Sequence, residues 1–167
     1  MHTFQMRHAV ERDVPIIYDF ILRLATYEKM AHEVVCTEEQ VRKTLFGAHP
    51  YAFVVLAERD GVSVGFALYF FNYSTFLGRP GLYLEDLFVV PEHRGQGYGT
   101  ALLSTLAQIA VQNECGRMEW NVLDWNTSAI HFYESLQARQ VDEWKTFRLT
   151  GAALHQLAST RHGREMT

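Results

Sequence analysis

Residues 83–100, YLEDLFVVPEHRGQGYGT, decide the fold that we predict for this chain. The stretch opens with apolar strand formers, and Pro91 ends the strand because proline lacks the backbone N–H that a sheet requires. Gly95, Gly97 and Gly99 follow, and a helical pattern then begins. Because glycine tolerates positive φ and has no Cβ, successive N–H groups can converge on one anion in front of a helix N-terminus. The stretch therefore predicts a strand, a pyrophosphate-binding loop and a helix.

The spacing of the glycines distinguishes this loop from two common phosphate-binding motifs. Neither G-x-x-x-x-G-K-[ST] nor G-x-G-x-x-G occurs, which excludes a P-loop and a dinucleotide-binding fingerprint. The loop instead fits [RQ]-x-x-G-x-[GA], with Arg94, Gly97 and Gly99 at the fixed positions. Arg94 places a cation beside the expected anion. An ordinary glycine-rich turn is the alternative, and the strand and helix that flank the loop argue against it.

Composition and charge limit the classes of function. A chain of 167 residues with 48% hydrophobic and 20% charged residues suits one globular domain, residues 1–167. The net charge of −4, without a basic run, argues against a nucleic-acid partner and suits a cationic substrate. The histidines and the two cysteines lack metal-ligand spacing, so we expect no metal. With no signal-peptide pattern and no apolar run of membrane-spanning length, we expect a cytoplasmic protein without membrane contact.

Hydrophobic periodicity predicts the element order β-α-α-β-β-β-α-β-α-β. Strands are expected near residues 4–8, 51–58, 63–73, 83–90, 118–123 and 144–150. The four helices of this order are expected after Asp13, after the capping box 37–40, after the glycine loop and after the N-cap Asn126, and a helical tail is expected after the last strand, from about residue 151. Crossover helices imply that strands 83–90 and 118–123 are parallel neighbours. The fold class is therefore α/β (α+β), with helices on the faces of a mixed sheet.

Two acidic side chains lie inside the apolar strand that leads to the glycine loop. Glu85 and Asp86 are consecutive, although carboxylates are depleted in strands. Either one of them points to the apolar face of the sheet, or the strand contains a bulge. Glu85 is a candidate for a general base or for an anchor of a substrate ammonium. The alternative for Glu85 is a solvated edge position or a structural ion pair.

Several stretches of the chain carry a resemblance to a known family. They are residues 24–30, 66–71, 83–89 and 125–133, together with the glycine motif. With them the chain resembles the GNAT superfamily of acetyltransferases and, within it, the spermidine/spermine (diamine) N-acetyltransferases, over about residues 5–155. The resemblance implies a mixed, mostly antiparallel sheet flanked by helices, with the glycine loop between the central strand and a helix. It also implies acetyl-CoA as cosubstrate, a small primary amine as substrate, and a homodimer.

The resemblance assigns residues to the cosubstrate. The backbone of Leu87, Phe88 and Val89 would hold the pantetheine arm and the thioester carbonyl. The pyrophosphate would be surrounded by Arg94, Gly95, Gln96, Gly97, Tyr98, Gly99 and Thr100. Asn126, Ala129 and Tyr133 would complete the cofactor site. Tyr133 would also be the general acid that protonates the leaving thiolate; taken alone, a tyrosine among apolar helical residues is more often part of a core.

The resemblance also places an amine-binding region. Glu85 would take the proton of the amine, through water, and Tyr27, Glu28 and Asp86 would lie beside it. The chain departs from the family after the tyrosine helix, where Gln137 and Ala138 replace a usual glycine and the segment 139–143 is short. Fewer acidic residues then remain for the far end of a long polyamine, so we expect a compact diamine or a lysine-like amino acid to be preferred over spermine.

The sequence favours direct attack of the amine in a ternary complex, since no nucleophile for a covalent intermediate stands out. Three alternatives to a diamine or polyamine substrate remain. The first is acetylation of lysine-like amino acids such as thialysine or ornithine, and the second is acetylation of protein lysines. The third is a non-catalytic acyl-CoA-binding domain, against which the combination of Glu85 and Tyr133 argues.

Overall fold

The computed structural model describes residues 3–160 and confirms the mixed α/β class. Its strands are β1 (Phe4–His8), β2 (Phe53–Arg59), β3 (Val62–Ser74), β4 (Arg79–Val89) and β5 (Met118–Trp120). Its α-helices are α1 (Val14–Tyr27), α2 (Glu38–Phe46), α3 (Tyr98–Gln112), α4 (Thr127–Ser135) and α5 (Gly151–Ser159). Helix α2 begins at the predicted capping box, since the Thr37 side chain accepts from the Gln40 N–H and the Gln40 side chain accepts from the Thr37 N–H.

The five strands form one sheet in the order β1-β2-β3-β4-β5. Neighbouring strands from β1 to β4 are antiparallel, whereas β4 and β5 are parallel over Leu82 to Leu84. Asp60 and Gly61 connect β2 to β3 in a two-residue turn, with φ of 52° and 78°, as hairpins with primed turns require. The mostly antiparallel sheet and the parallel pair of strands were both predicted, and both are confirmed.

The core lies on both faces of the central strands. Residues 64–67 of β3 are all buried, and because side chains alternate between the faces of a strand, both faces are covered. Helix α1 contributes Phe20, whose ring centre lies 5.6 Å from those of Phe66 and Phe88. Helix α3 buries Leu102 and Leu106 at helical spacing, as its sequence pattern predicts. The strand that leads to the glycine loop is therefore held rigidly.

An ion-pair network fixes the start of α1 against the sheet. Arg7 on β1 lies 2.6 Å from Asp13 and 2.7 Å from Glu58 of β2. The hydrogen bond from Arg7 lowers the pKa of the Asp13 carboxyl, although burial opposes the shift. The Asp13 side chain also accepts from the Val10 N–H at 2.8 Å. Asp13 therefore holds the turn before α1 as the N-cap residue of the helix, although its side chain makes no hydrogen bond to the first turn of α1.

Three predicted strand boundaries differ from the structure and one predicted strand is absent, because tertiary pairing decides where a strand forms. Strand β2 begins at Phe53 and not at residue 51. Strand β4 begins at Arg79 and not near residue 83, because residues 79–81 pair with residues 72–74 of β3. Strand β5 ends at Trp120 and does not reach residue 123. The predicted strand 144–150 is absent, since no strand of the described residues pairs with it.

The chain divides into two compact units, one up to Asp124 and one from Trp125 onward. The first contains the sheet and helices α1 to α3, and the second contains α4 and α5. One domain over residues 1–167 stays a prediction. Within residues 3–160, none of the helices is long and apolar enough to cross a membrane. The same residues contain no group of three or more His, Cys, Asp or Glu side chains that could hold a metal ion.

Candidate active site

The glycine loop has the backbone conformation that its sequence predicts. Gly95 and Gly97 have φ of +71° and +87°, and a Cβ built at either position would meet no atom within 4 Å. The backbone therefore requires glycine, and the space beside it is open. Gly97 is the N-cap of α3, and no side chain among the described residues caps that helix. The N–H groups of its first turn lack partners within the helix and can bind an anion such as a pyrophosphate.

Side chains from two directions hold the loop. Arg94 donates through Nε to the Val89 carbonyl at 2.9 Å, and Gln96 donates to the Glu92 carbonyl at 3.1 Å. Arg59, at the end of β2, donates to Oε1 of Gln96 at 3.1 Å. The sequence analysis missed Arg59. The antiparallel order of β2, β3 and β4 was its only signal, because it brings the β2–β3 turn to the same end of the sheet as the loop.

The side chain of Tyr98 belongs to the core of the first unit and not to an exposed binding surface. It is buried, with its ring centre 4.8 Å from that of Phe4 and 5.9 Å from that of His93. A contact between Tyr98 and a cosubstrate would therefore use its backbone N–H in the first turn of α3. The cofactor contacts assigned to residues 94–100 stay predictions, whereas the loop conformation on which they depend is confirmed.

Strand β4 has an open edge just before the loop. It pairs with β5 only over Leu82 to Leu84, while its pairing with β3 continues to Val89. Between Glu85 and Val89, the described chain therefore places a strand on one side of β4 only. An open strand edge can bind an extended ligand through backbone hydrogen bonds. Such an edge fits a pantetheine arm, as the resemblance implies for residues 87–89.

A β-bulge separates the two acidic residues of β4. Leu68 on β3 faces Asp86 and Tyr69 faces Leu84, so Glu85 is the extra residue. Glu85 is exposed, whereas Asp86 is half-buried. The prediction of a bulge or an inward-pointing carboxylate is thereby confirmed, and both features occur together.

The environment of Asp86 changes its acidity. Burial, with smaller contributions from the negative charges of Glu85 and Glu28, raises the pKa of Asp86 to about 7. Burial also raises the pKa of Glu28, which follows the last turn of α1. We call Glu28, Glu85 and Asp86 the carboxylate cluster. The charges of Glu85 and Glu28 both act on Asp86, so the structure brings these three predicted residues close to one another. Their combined negative charge attracts a cation.

A pocket of about 280 Å³ lies between the end of α1 and the end of β4. Its lining consists of Arg23, Thr26, Tyr27, Phe88, Pro91 and Arg94. The Arg94 guanidinium lies 4.7 Å from the centre of the Tyr27 ring, and the Arg23 guanidinium lies 5.5 Å from that of Phe88. The sequence analysis named Tyr27, Phe88 and Arg94 but missed Arg23, although it lies one helical turn before Tyr27 on the same face of α1.

The second unit contains the other predicted site residues on one helix. Asn126 caps α4 as predicted, since its Oδ1 accepts from the Ala129 N–H at 3.3 Å. Tyr133 lies four residues after Ala129, on the same side of α4, with its ring centre 5.4 Å from that of Phe132. The cap is confirmed. The cofactor contacts of Asn126, Ala129 and Tyr133 and the acid role of Tyr133 stay predictions.

Comparison with known proteins supports an acyl-transfer site. The model of the acetyltransferase (GNAT) family matches residues 17–137. The thialysine N-epsilon-acetyltransferase of Mus musculus is 37% identical, covering 95% of this chain and 99% of that protein. The L-ornithine N5-acetyltransferase NATA1 of Arabidopsis thaliana is 33% identical over 92% of this chain and 87% of that protein. The Homo sapiens spermidine/spermine N(1)-acetyltransferase-like protein 1 is 33% identical over 95% of this chain and 24% of that protein.

A solved structure agrees with the architecture. An integron cassette protein of V. cholerae superposes with a TM-score of 0.78 at 25% identity, covering 94% of this chain and 98% of the other. The resemblance stated from the motifs, including its spermidine/spermine-like branch, is confirmed by these relatives. Proteins named for thialysine and ornithine are among them as well, so the identity of the amine depends on the site itself.

Proposed function

Because the chain belongs to the GNAT family and is thus an acetyl-CoA-dependent N-acetyltransferase acting on an amine, we propose that it acetylates the side-chain amine of a small lysine-like amino acid. Thialysine and ornithine represent this class. The carboxylate cluster carries the proposal, since three acidic residues next to the open edge of β4 suit a primary ammonium. The names of two relatives support the amino-acid class.

A compact diamine is the second candidate. The carboxylate cluster offers more negative charge than one ammonium requires, and one relative is named for spermidine and spermine. The shortened segment 139–143 still argues against spermine, which would need acidic residues for its distant charges. The two candidates differ in the α-carboxylate, which the amino acids carry and the diamines lack.

The residues of the first unit fit acetyl-CoA, which supplies the acetyl group as a thioester. The N–H groups at the start of α3 and the Arg94 guanidinium would hold the pyrophosphate. The open edge of β4, from Leu87 to Val89, would bind the pantetheine arm and direct an N–H at the thioester oxygen. The end of the arm would then lie beside the carboxylate cluster on the same strand.

The reaction needs a base, because a primary ammonium with a pKa near ~10.4 is protonated at neutral pH. Glu85 was the base in the sequence analysis. The half-buried Asp86, with its pKa raised to about 7, is a better match for general-base catalysis near neutral pH. We therefore propose that Asp86 accepts the proton of the amine and that Glu85 and Glu28 bind the ammonium. The Tyr133 hydroxyl would give its proton to the leaving thiolate.

The experiment that tests this function measures thiol release from acetyl-CoA with a panel of amines. The panel contains thialysine, ornithine, lysine, putrescine, cadaverine, spermidine, spermine and a lysine-containing peptide. We expect the highest kcat/KM for thialysine or ornithine, with a product acetylated on the side-chain amine by mass spectrometry. A preference for spermine over every shorter amine, or for the peptide over all free amines, would contradict the proposal.

The resemblance also leads us to propose a cytoplasmic homodimer. Sedimentation of the purified protein should then give twice the chain mass of 19.3 kDa. A single species at the chain mass, at concentrations where activity is measured, would contradict the dimer and leave the acetyltransferase activity untouched.

A further inference from the structure

A negative and a positive region lie one after the other along β4. The negative one is the carboxylate cluster around Asp86, and the positive one is the pair of guanidiniums of Arg23 and Arg94 around the Phe88 ring. Starting from the proposed function, we propose that Arg23 binds the α-carboxylate of a zwitterionic amino acid whose side-chain amine is held by the carboxylate cluster.

The spacing along the strand supports this arrangement. Asp86 and Phe88 face Leu68 and Phe66 of β3, which are two residues apart, and the pairing between them is regular. Residues two apart in a strand point to the same face and lie about 6.6 Å apart. That distance resembles the one between the side-chain amine and the α-carboxylate of extended ornithine or lysine. One small amino acid can therefore reach both regions.

Both regions lie on the side of the sheet that α1 covers. The Phe88 ring packs 5.6 Å from that of Phe20 on α1, and the Arg23 guanidinium of the same helix lies 5.5 Å from the Phe88 ring centre. Glu28, directly after α1, is close enough to Asp86 to raise its pKa. Helix α1 thus supplies one charge to each end of the site, five residues apart, with Tyr27 in the pocket wall between them.

Arg23 is better suited to a substrate carboxylate than Arg94. Its ion pairs with Asp19 and Glu92 are long, 3.8 Å and 4.0 Å, and all three side chains are exposed to solvent. Exposed pairs of this kind stabilise little, so the guanidinium can turn toward a ligand carboxylate. Arg94 is fixed by its hydrogen bond to the Val89 carbonyl and belongs to the loop that holds the pyrophosphate.

The arrangement also discriminates against diamines. Putrescine and cadaverine correspond to ornithine and lysine without the α-carboxylate, and they carry only cationic ends. When one amine occupies the carboxylate cluster, the far end of the diamine meets the positive charge of Arg23. Like charges at that position reduce the affinity for the wrong substrate, so the same residue selects for the amino acid and against the diamine.

The test compares matched substrates in the full-length enzyme. With the wild-type protein, we expect kcat/KM for ornithine and lysine to exceed that for putrescine and cadaverine at least tenfold. Arg23→Gln should lower kcat/KM for ornithine at least tenfold through KM. The same variant should leave putrescine within twofold of wild type or improve it, with the KM for acetyl-CoA unchanged. Arg42→Gln is the matched control, because Arg42 is another partly exposed arginine with two ion pairs, to Glu11 and Glu39.

A second measurement changes the substrate and leaves the protein intact. Ornithine amide keeps both amines but lacks the carboxylate, and the wild-type enzyme should lose at least tenfold in kcat/KM with it relative to ornithine. Equal use of ornithine and ornithine amide, or equal losses for ornithine and putrescine in Arg23→Gln, would overturn the role of Arg23 while amine acetylation stands. Failure of the wild-type enzyme to acetylate any amine would overturn the proposed function itself.

Discussion

The two ends of the segment 85–97, which runs from β4 into the glycine loop, suit opposite charges by different means. At the loop end, the proposed anion site consists mainly of backbone N–H groups, which Gly95 and Gly97 expose by their positive φ. At the bulge end, the proposed cation site consists of side-chain carboxylates, and its properties depend on how deeply Asp86 is buried. A backbone site is set by local conformation, whereas a carboxylate site is tuned by its neighbours. Substitutions at the two ends should therefore fail in different ways.

The largest expected effect lies at the bulge end. If Asp86 is the base, Asp86→Asn should lower kcat by roughly 10²–10⁴, while acetyl-CoA binding changes little. In the wild type, kcat/KM should rise with pH through the region of the Asp86 pKa, about 7, and this limb should disappear in the variant. Glu85→Gln is the adjacent control and should mainly raise the KM for the amine. A large loss of kcat in Glu85→Gln, with mainly a raised KM in Asp86→Asn, would instead identify Glu85 as the base.

The thiolate that remains at the end of the pantetheine arm after acetyl transfer also requires a proton. If the Tyr133 phenol is the donor, Tyr133→Phe should lower kcat by roughly 10²–10⁴. The affinity for acetyl-CoA, measured by calorimetry, should stay within a few-fold of wild type. A kcat within threefold of wild type would assign Tyr133 a packing role on α4.

Substitutions in the glycine loop should weaken the binding of acetyl-CoA and should not affect the chemical step. Gly97→Asp places a side chain and a negative charge in the open space beside the loop, and acetyl-CoA binding should weaken at least tenfold, about 1.4 kcal/mol. Since any side chain at a φ of +87° is strained, Gly97→Ala is the control that carries the strain without the charge. Equal losses in the two variants would show strain alone, and unchanged affinity in folded Gly97→Asp would contradict the pyrophosphate site.

Burial of Asp86 should also appear in stability. Its folded-state pKa is raised, so the folded protein binds more protons than the unfolded chain between about pH 4 and the Asp86 pKa of about 7. The free energy of unfolding should therefore fall as the pH rises through this range. Asp86→Asn removes that loss and should be more stable than wild type at pH 8 by up to about 4 kcal/mol, since each pKa unit corresponds to about 1.4 kcal/mol. Urea unfolding at pH 4, where the difference should vanish, is the control.

The smallest effect is expected from Arg59, which holds the loop without being part of it. Arg59→Ala removes the 3.1 Å hydrogen bond to Gln96 and should raise the Kd for acetyl-CoA about threefold to tenfold, with kcat unchanged. If Arg59 acts through Gln96, a Gln96→Ala variant should show a similar loss, and the double variant should lose no more than either single one. Additive losses would show that the two side chains act separately.

The local elements of the site were determined by the sequence alone. The glycine loop before α3, the capping box of α2 and the Asn126 cap are all present as predicted, and the Asp60–Gly61 hairpin turn is equally local. Each depends on residues within a few positions of one another, and their conformation follows from intrinsic preferences and short-range hydrogen bonds. The order of these elements also predicted that β4 has a parallel neighbour, which is β5, and the motifs within them carried the resemblance to the family.

Only the tertiary structure decided which distant side chains meet. Arg59 and Arg23 reach the site from β2 and α1, and no spacing in the sequence connects them to β4. The raised pKa of Asp86 requires burial and the charge of Glu28, almost sixty residues earlier in the chain. Residues 144–150 have the composition of a strand but lack a strand partner in the described chain. A strand and a pKa both depend on what packs against them, and a linear sequence contains that information only through the fold.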